Sequence, residues 1–371
     1  MLVAGEASGD MHAADFLHAL RRRIPNLEVF GIGGERLRAA GMSTIADAGE
    51  TATVGLTEGA GTVRTLVRAY RTLRRRLRDE RPDLCVLVDF PEFNLLLARA
   101  VKRAGVPVLY YIAPQVWAWR GGRVKKIARR VDRLAVVFPF EAELYQAHLA
   151  GVQFVGHPLL DRVAVTRERA ATRAHHGFDP SRPLVALLPG SRPKEIHYLL
   201  PPMLAAVARL RAQGDPQFAL ALAPTVPRAA VAALVEGTGV QVVADDTYNL
   251  VAAADLAVVT SGTATLECAL LECPMVIVYR TSALTAFLGR RLIRGVQHIG
   301  MPNIIADREI VPELIQAAAS GERIAGVVAE LLAAPERRRL MQADLRDIRQ
   351  RLGERGAADR AAALAVELLA R

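Results

Sequence analysis

The chain has 371 residues, of which 51% are hydrophobic and 23% are charged. That length favours two domains, and that balance excludes an intrinsically disordered chain. The net charge of +10 indicates an anionic partner, which could be nucleic acid, anionic lipid or a phosphorylated substrate. Aromatic residues make up only 5% of the chain, and it carries no DNA- or RNA-binding motif. We therefore expect no nucleic-acid partner.

The cysteines and the N-terminal sequence indicate the cellular compartment. Cys85, Cys268 and Cys273 lie inside apolar patterns rather than in CxxC spacing, so we expect neither a disulfide framework nor a zinc site. The start of the chain has no signal-peptide pattern, and no apolar run reaches the roughly 20 residues that span a bilayer. A cytoplasmic protein, attached at most to a membrane surface, is the expectation.

Apolar runs alternate with helical patterns along both halves of the chain. Strands are predicted at residues 2–4, 29–32, 84–88, 108–112 and 134–137, and again at 184–188, 218–223, 241–243, 256–259 and 275–278. This alternation is typical of an α/β fold with parallel sheets. We predict two Rossmann-like, doubly wound domains that face each other across a cleft.

The domain boundaries follow from the segments between these patterns. Residues 156–158 and the polar segment 166–183 are interpreted as the linker, and the chain is helical from Pro335 onward. We predict an N-terminal domain at 1–160 and a C-terminal domain at 161–340. The helices at 341–371 could pack back on the N-terminal domain.

The absence of several known motifs limits the kinds of cofactor and metal site that can be expected. The sequence has no P-loop, no HExxH motif and no aspartate pair at DxD spacing, and residues 31–36 lack the last glycine of GxGxxG. We therefore predict neither a metal nor another cofactor. Any bound diphosphate must be neutralised by helix N-termini and arginines.

Two predicted strand ends could bind such an anion. The strand at 256–259 runs into the turn Thr260 to Thr263 and then a helix, whose first N–H groups and dipole suit a diphosphate. An ordinary helix start capped by Ser261 or Thr263 fits the same residues equally well. Residues 189–192, Pro-Gly-Ser-Arg, form a second candidate anion clamp, for which a surface turn is the alternative.

Two other strand ends carry acids. The small residues of segment 5–10 permit close backbone approach to a ligand, although a tight turn with Asp10 as a helix cap is the alternative. Asp89 follows the apolar run 84–88, so partial desolvation should raise its pKa toward general-base use. The alternative is that Asp89 caps the next helix, a role that Asn94 would fill as well.

Residues 62–79 predict a basic amphipathic helix. One stripe holds Val63, Leu66, Val67, Tyr70, Leu73 and Leu77, and another face holds Arg64, Arg68, Arg71, Arg75 and Arg78. Such a helix can lie on an anionic membrane and guide lipids to a site. A core-facing helix with a solvated arginine face is the alternative, and residues 287–293 are a second, weaker candidate for membrane contact.

Nine motifs, in this order, resemble lipid-A-disaccharide synthase, a family of bacterial glycosyltransferases. They are GEASGD at 5–10, DFPEFN at 89–94, VWAWR at 116–120, PFE at 139–141, VGHPL at 155–159, LPGSR at 188–192, SGTATLE at 261–267, PN at 302–303 and VPEL at 311–314. The resemblance runs nearly end to end. Each motif alone is weak, but the ordered set is highly specific.

The resemblance implies a B-type glycosyltransferase fold and a defined reaction. The donor would be UDP-2,3-diacylglucosamine and the acceptor 2,3-diacylglucosamine 1-phosphate, giving UDP and a β-1,6-linked disaccharide 1-phosphate with inversion. The enzyme would be peripheral on the cytoplasmic face of the inner membrane, and it could be a homodimer. The rival interpretations are another UDP-sugar enzyme, such as the peptidoglycan glucosaminyl transferase or a UDP-sugar epimerase, and a non-catalytic lipid- or nucleotide-binding protein.

The resemblance also suggests roles for particular residues. Asp89 is the expected general base, and its competitors are Glu6, Asp10 and His157. The expected UDP ligands are Gly190, Ser191, Arg192, Ser261, Gly262, Thr263, Glu267, which would bind the ribose, and Asn303. The expected acceptor and lipid contacts are Ser8, Asn94, Trp117, Arg71 and Arg75.

Overall fold

The computed structural model describes residues 1–47, 60–114, 123–282 and 297–370. The chain divides into two units. Unit 1 comprises Met1–Asp161 and Leu352–Arg371, and unit 2 comprises Arg162–Arg351. Each unit has its own parallel β-sheet, which confirms the predicted α/β class with two doubly wound domains.

Unit 1 contains a seven-stranded parallel sheet in the order β3-β2-β1-β4-β5-β6-β7. Its strands are β1 Leu2–Ala4, β2 Phe30–Gly33, β3 Ser43–Asp47, β4 Cys85–Val88, β5 Val108–Tyr111, β6 Arg133–Val136 and β7 Val152–Phe154. Its helices are α1 Ala7–Arg23, α2 Glu35–Ala39, α3 Ala60–Asp79, α4 Pro91–Arg103, α5 Val124–Ala128, α6 Pro139–Gln146, α7 Leu159–Arg162 at the unit boundary, and α16 Ala357–Leu369. The central strands β1, β4 and β5 are wholly buried because helices cover both faces of the sheet.

Unit 2 contains a six-stranded parallel sheet in the order β10-β9-β8-β11-β12-β13. Its strands are β8 Leu184–Leu188, β9 Gln217–Leu222, β10 Gln241–Ala244, β11 Leu256–Thr260, β12 Met275–Tyr279 and β13 Glu313–Ile315. Its helices are α8 Arg169–His175, α9 Pro193–Gln213, α10 Ala229–Val235, α11 Thr247–Ala253, α12 Thr263–Leu270, α13 Met301–Ala306, α14 Gly321–Ala333 and α15 Pro335–Arg351. Strands β8 and β11 are neighbours at the point where the strand order reverses, which is where ligands bind in such sheets.

The segment 166–183 is not a linker, contrary to the prediction. Helix α8 lies within it and is anchored in unit 2 by Arg173, whose buried guanidinium donates to the Ala253 carbonyl and pairs with Asp255 at 2.7 Å. The backbone N–H of Thr166 also donates to the Asn249 side chain. Polar composition misled the prediction, because these polar groups are bonded within the unit rather than solvated.

The predicted C-terminal boundary at residue 341 is displaced to Leu352. Helix α15 belongs to unit 2, where Arg349 donates to the Leu270 carbonyl and Arg351 to the Ile305 carbonyl. Helix α16 instead packs on α1 of unit 1, and its Asp359 pairs with Arg22 and Arg23. The predicted boundary therefore fell inside α15, and the chain returns to unit 1 only after that helix ends.

Candidate active site

Asp89 stands at the carboxyl end of β4 in an uncommon backbone conformation. Asp89 and Phe90 have φ angles of 46° and 50°, so two successive non-glycine residues adopt the left-handed region. Such conformations cost free energy and persist only where the surroundings hold them. Helix α4 starts directly after this turn with Pro91 in its first turn. The carboxylate is therefore presented by a constrained turn rather than by a regular helix cap.

The electrostatics of Asp89 suit a proton acceptor. Burial, followed by the nearby charge of Glu6, raises the pKa of its carboxyl to about 6, while the Phe90 N–H donates to the carboxylate and opposes the shift. This agrees with the desolvation expected from the apolar strand. A carboxylate with this pKa is ionised near pH 7 and is a stronger base than an ordinary aspartate.

Asp10, one of the competing acids, is committed to backbone contacts. Its carboxylate accepts N–H groups from Gly34 at 2.6 Å, Arg36 at 3.0 Å and Leu37 at 3.3 Å, and it is buried. It therefore caps helix α2 across the loop, which accounts for its position without a catalytic role. Glu6 is the N-cap residue of α1, and Ser8 is exposed in the first turn of that helix.

His157 is buried against the Phe138 ring, with the ring centroids 5.1 Å apart. Burial, with a contribution from His12, lowers the pKa of its imidazole to about 3, so the ring is neutral near pH 7. Its Nδ1 accepts the Leu159 N–H at 3.2 Å, which assigns the proton to Nε2. His157 can donate a hydrogen bond from Nε2, but this arrangement does not suit a general base.

In unit 2, helix α12 begins without a side-chain cap from the described residues. Its N-cap is Gly262, with φ 141° and ψ −157°, a region used almost only by glycine. The hydroxyl of Ser261 donates to the Ile299 carbonyl at 2.9 Å rather than capping the helix. Gly262 and Thr263 are exposed, so the first N–H groups of α12 can serve an anion. The alternative of a conventional Ser261 or Thr263 cap is therefore wrong.

Glu267 lies one turn further along α12 and is oriented by Tyr248, a residue that no sequence motif indicated. The hydroxyl of Tyr248, on α11, donates to Glu267 Oε1 at 3.0 Å. Burial raises the pKa of Glu267, and the Tyr248 hydrogen bond partly offsets that rise. Tyr248 holds one carboxylate oxygen in place, an arrangement that suits recognition of a hydroxyl-bearing ligand.

The predicted clamp at residues 190–192 is partly occupied by the protein itself. The carboxylate of Glu195 accepts the N–H groups of Ser191 at 2.8 Å and Arg192 at 3.2 Å. A Cβ on Gly190, which has φ 121°, would lie 2.3 Å from Glu195 Oε2, so glycine is needed there. The Arg192 side chain remains 72% exposed. Its guanidinium lies 3.6 Å from Glu195 and faces solvent, so it is the part of this turn that an anion can approach.

Asn303 cannot contact a nucleotide in the way we predicted. Its side chain is fully buried, and its Nδ2 donates to the Val311 carbonyl and to Glu313 Oε1, both at 2.8 Å. Its Oδ1 accepts the N–H groups of Ile310 at 2.7 Å and Val311 at 3.0 Å. All four hydrogen-bonding positions are used, so Asn303 ties α13 to β13 and the residues before it.

We expect Asn303→Ala to lower the free energy of unfolding by about 3 kcal/mol, because it leaves several buried donors and acceptors unpaired. Thermal and urea unfolding would measure the change. The exposed Asn26 gives a matched control, and Asn26→Ala should change stability by less than about 0.5 kcal/mol. A large loss of UDP affinity in Asn303→Ala that is otherwise as stable as the parent would contradict the structural role.

The residues predicted to contact the acceptor and the lipid lie in different environments. Asn94 is fully buried and donates to the carbonyls of Val88 and Asp89, so it supports Asp89 and does not reach a ligand. Arg71 and Arg75 are exposed on α3. Trp117 and the candidate segment 287–293 lie outside the described residues.

Helix α3 has two distinct faces. Ala69, Leu73 and Leu77 are buried in the core of unit 1. This face of α3 therefore packs inward, as the alternative of a core-facing helix predicts. The opposite face carries Arg64, Val67, Arg68, Arg71 and Thr72. Val67 was predicted on the apolar stripe, but it is 42% exposed and lies among the arginines.

Comparisons with known proteins agree on one family. The family model described as lipid-A-disaccharide synthetase matches residues 1–367. Lipid-A-disaccharide synthase of Geobacter metallireducens is 47% identical over 372 residues, covering 100% of this chain and 97% of the relative. The enzyme of the same name from Syntrophus aciditrophicus is 47% identical over 373 residues, with 100% and 97% covered.

Solved structures share the fold at low sequence identity. MurG of Acinetobacter baumannii has a TM-score of 0.58 and 14% identity, covering 99% of this chain and 98% of that one. The calicheamicin glycosyltransferase CalG4 has a TM-score of 0.61 and 17% identity, with 100% and 97% covered. The MnaA–UDP structure from S. aureus has a TM-score of 0.63 and 12% identity, with 97% and 93% covered.

Proposed function

The chain belongs to the lipid-A-disaccharide synthase family, and we propose that it joins 2,3-diacylglucosamine from UDP-2,3-diacylglucosamine to 2,3-diacylglucosamine 1-phosphate. The acceptor 6-hydroxyl oxygen attacks the anomeric carbon of the donor with inversion. The bond from that carbon to the diphosphate oxygen breaks, and UDP leaves with the bonding electrons. The hydroxyl proton passes to a base of the protein. The observation that carries this assignment is the buried, strand-end carboxylate of Asp89 within a chain whose whole length matches the family.

In unit 1, Asp89 accepts the proton of the attacking hydroxyl, because it has the raised pKa that this role requires. Glu6 contributes by its charge, and His157 offers a neutral Nε2–H donor. General-base catalysis of this kind accelerates a reaction by about 10²- to 10⁴-fold.

In unit 2, the start of helix α12 binds the diphosphate of UDP. The N–H groups that follow Ser261 and Gly262 are aimed out of the helix, where they stabilise the negative charge that builds up as UDP leaves. The exposed Arg192 guanidinium, beside Glu195, adds a positive charge. Glu267, held by Tyr248, accepts hydrogen bonds from the ribose hydroxyls.

The assay that tests this proposal measures UDP release from UDP-2,3-diacylglucosamine with and without the lipid acceptor. Release that depends on the acceptor, with formation of the disaccharide 1-phosphate, is the expected result. Epimerised UDP-sugar formed without acceptor would instead indicate an epimerase. Binding of UDP without turnover under either condition would indicate a non-catalytic binding protein.

The pH dependence of kcat/KM should follow the Asp89 carboxyl. Because the base acts when ionised, kcat/KM should rise as the pH increases through about 6 and then level off. Glu6→Gln removes a negative charge that raises the pKa of Asp89, so the rise should move to lower pH. Glu92→Gln serves as a control, since Glu92 pairs with Arg123 on the surface. An unchanged profile in Glu6→Gln would contradict the coupling.

No helix in the described ranges is long and apolar enough to cross a membrane. The arginine face of α3 supports a peripheral position on an anionic membrane, which we propose is the cytoplasmic face of the inner membrane. Because the apolar stripe of α3, apart from Val67, packs on the core, the contribution of this helix is mainly electrostatic.

Arg71→Glu combined with Arg75→Glu should weaken binding to vesicles that contain phosphatidylglycerol by at least about tenfold, since each basic residue near such a surface contributes about 1 kcal/mol. Co-sedimentation at low and high salt would measure the change. Arg209→Glu combined with Arg228→Glu alters the net charge equally at exposed positions of unit 2. Equal losses in both double variants would exclude a specific role for α3.

A further inference from the structure

The peptide that joins Asp89 to Phe90 is held from both ends. The Asp89 carbonyl accepts the Tyr110 hydroxyl at 2.6 Å and the Asn94 Nδ2 at 2.7 Å. The N–H at the other end of this peptide belongs to Phe90 and donates to the Asp89 carboxylate. Because a peptide unit is planar and rigid, fixing its carbonyl also fixes the direction of its N–H. A contact on the carbonyl therefore orients the N–H that the Asp89 carboxylate meets.

Tyr110 lies on β5, the strand that pairs with β4, at a position opposite Leu87. Its side chain is fully buried in the core of unit 1, and its hydroxyl reaches past the end of β4 to the Asp89 carbonyl. That contact counters the tendency of Asp89 and Phe90, both in the left-handed region, to relax to a commoner conformation.

The other side of the turn is confined by packing. A Cβ on Gly5 would lie 2.2 Å from the Phe90 ring, so the ring occupies the space that a larger residue at position 5 would need. Phe90 also stacks on Phe93, with the ring centroids 5.2 Å apart. The ring is thus fixed by its neighbours, and the hydrogen bond from Tyr110 remains as the polar restraint from the adjacent strand.

We propose that Tyr110 is a positioning residue, which aims the Asp89 carboxylate at the acceptor hydroxyl through the rigid 89–90 peptide. The inference rests on the proposed function, because it concerns the base assigned there. Tyr110 itself contacts no reacting atom.

The neighbouring residue provides a matched control. Tyr111 is also fully buried on β5, but successive strand residues point to opposite faces, and its ring packs against Phe16 at 5.9 Å. Its hydroxyl has no hydrogen-bond partner among the described residues. Tyr110→Phe and Tyr111→Phe each remove one buried oxygen from the same strand, but only the first removes a contact to Asp89.

We expect Tyr110→Phe to lower kcat by about 10- to 100-fold, the scale of a small misplacement of a catalytic group, with KM changed by less than about twofold. Tyr111→Phe should retain the parent kcat. Both variants should bind UDP with the parent affinity, since the proposed UDP ligands belong to unit 2, and this binding also verifies folding. A parent-like kcat in Tyr110→Phe would overturn the inference.

A double-mutant cycle distinguishes positioning from general structural support. If Tyr110 acts through Asp89, then Asp89→Asn combined with Tyr110→Phe should be no slower than Asp89→Asn alone. Additive losses would overturn the positioning role while leaving Asp89 as the base. Near-normal turnover of Asp89→Asn would instead contradict the proposed function itself, so the two failures are distinguishable.

Discussion

Replacing Asp89 with asparagine is expected to lower kcat by about 10³-fold, within the range by which general-base catalysis accelerates reactions. Asparagine preserves the size of the side chain, and its carbonyl oxygen can still accept the Phe90 N–H, so the turn should remain folded. The amide cannot accept the proton of the acceptor hydroxyl. The affinity for UDP should be unchanged, because the substitution lies in unit 1 and the proposed UDP ligands belong to unit 2.

Asp10→Asn is the matched comparison, since Asp10 was the alternative acid and is also buried. It weakens the cap on helix α2, so we expect a loss of about 1 kcal/mol in stability and a kcat near that of the parent. Single-turnover measurements of both variants, with unfolding curves, would separate the two roles. A large loss of kcat in Asp10→Asn with near-normal turnover of Asp89→Asn would reverse the assignment.

Most of the correctly predicted strands are recognisable from an apolar run within their own residues. All ten predicted strands are present within one residue of their predicted ends, and all of them except the edge strand β10 are largely buried apolar runs. The three strands that were missed, β3, β7 and β13, each lie at a sheet edge. Apart from Leu314, their residues are exposed or only partly buried, so they lack the apolar run that made the central strands recognisable.

The same distinction applies to the candidate site. Ligands bind at the carboxyl ends of parallel strands, and these ends can be located from the sequence. Asp89 and the turn before α12 could therefore be predicted as site residues. The hydrogen-bond partners of a side chain that lie far away in the sequence cannot be recognised from a local sequence pattern. The contacts of Tyr110 with Asp89 and of Tyr248 with Glu267 span 21 and 19 residues. Asn303 shows the converse, because a polar residue in a matching motif proved to be fully bonded inside the protein.

Gly262→Ala should lower kcat/KM for the donor by about 10²-fold, comparable to the loss of one donor that stabilises developing negative charge. A Cβ built on Gly262 meets nothing within 4 Å, so the substitution causes no collision. Its effect arises from the backbone, because an L residue at φ 141° and ψ −157° is strained by roughly 1–3 kcal/mol. The strained turn would relax and redirect the N–H groups at the start of α12. UDP affinity, measured by calorimetry, should fall together with kcat/KM.

Gly237→Ala is a control that distinguishes the effect of misdirected N–H groups at the start of α12 from the effect of backbone strain alone. Gly237 lies in unit 2 and has φ 71°, and the methyl group that alanine would add there likewise meets nothing within 4 Å. Its substitution should therefore lower stability through backbone strain, yet leave UDP affinity and kcat/KM unchanged. If Gly262→Ala behaved in the same way, the start of α12 would not bind the diphosphate. The leaving-group site would then have to depend on the exposed guanidinium of Arg192, and Arg192→Ala would become the variant with the largest loss of UDP affinity.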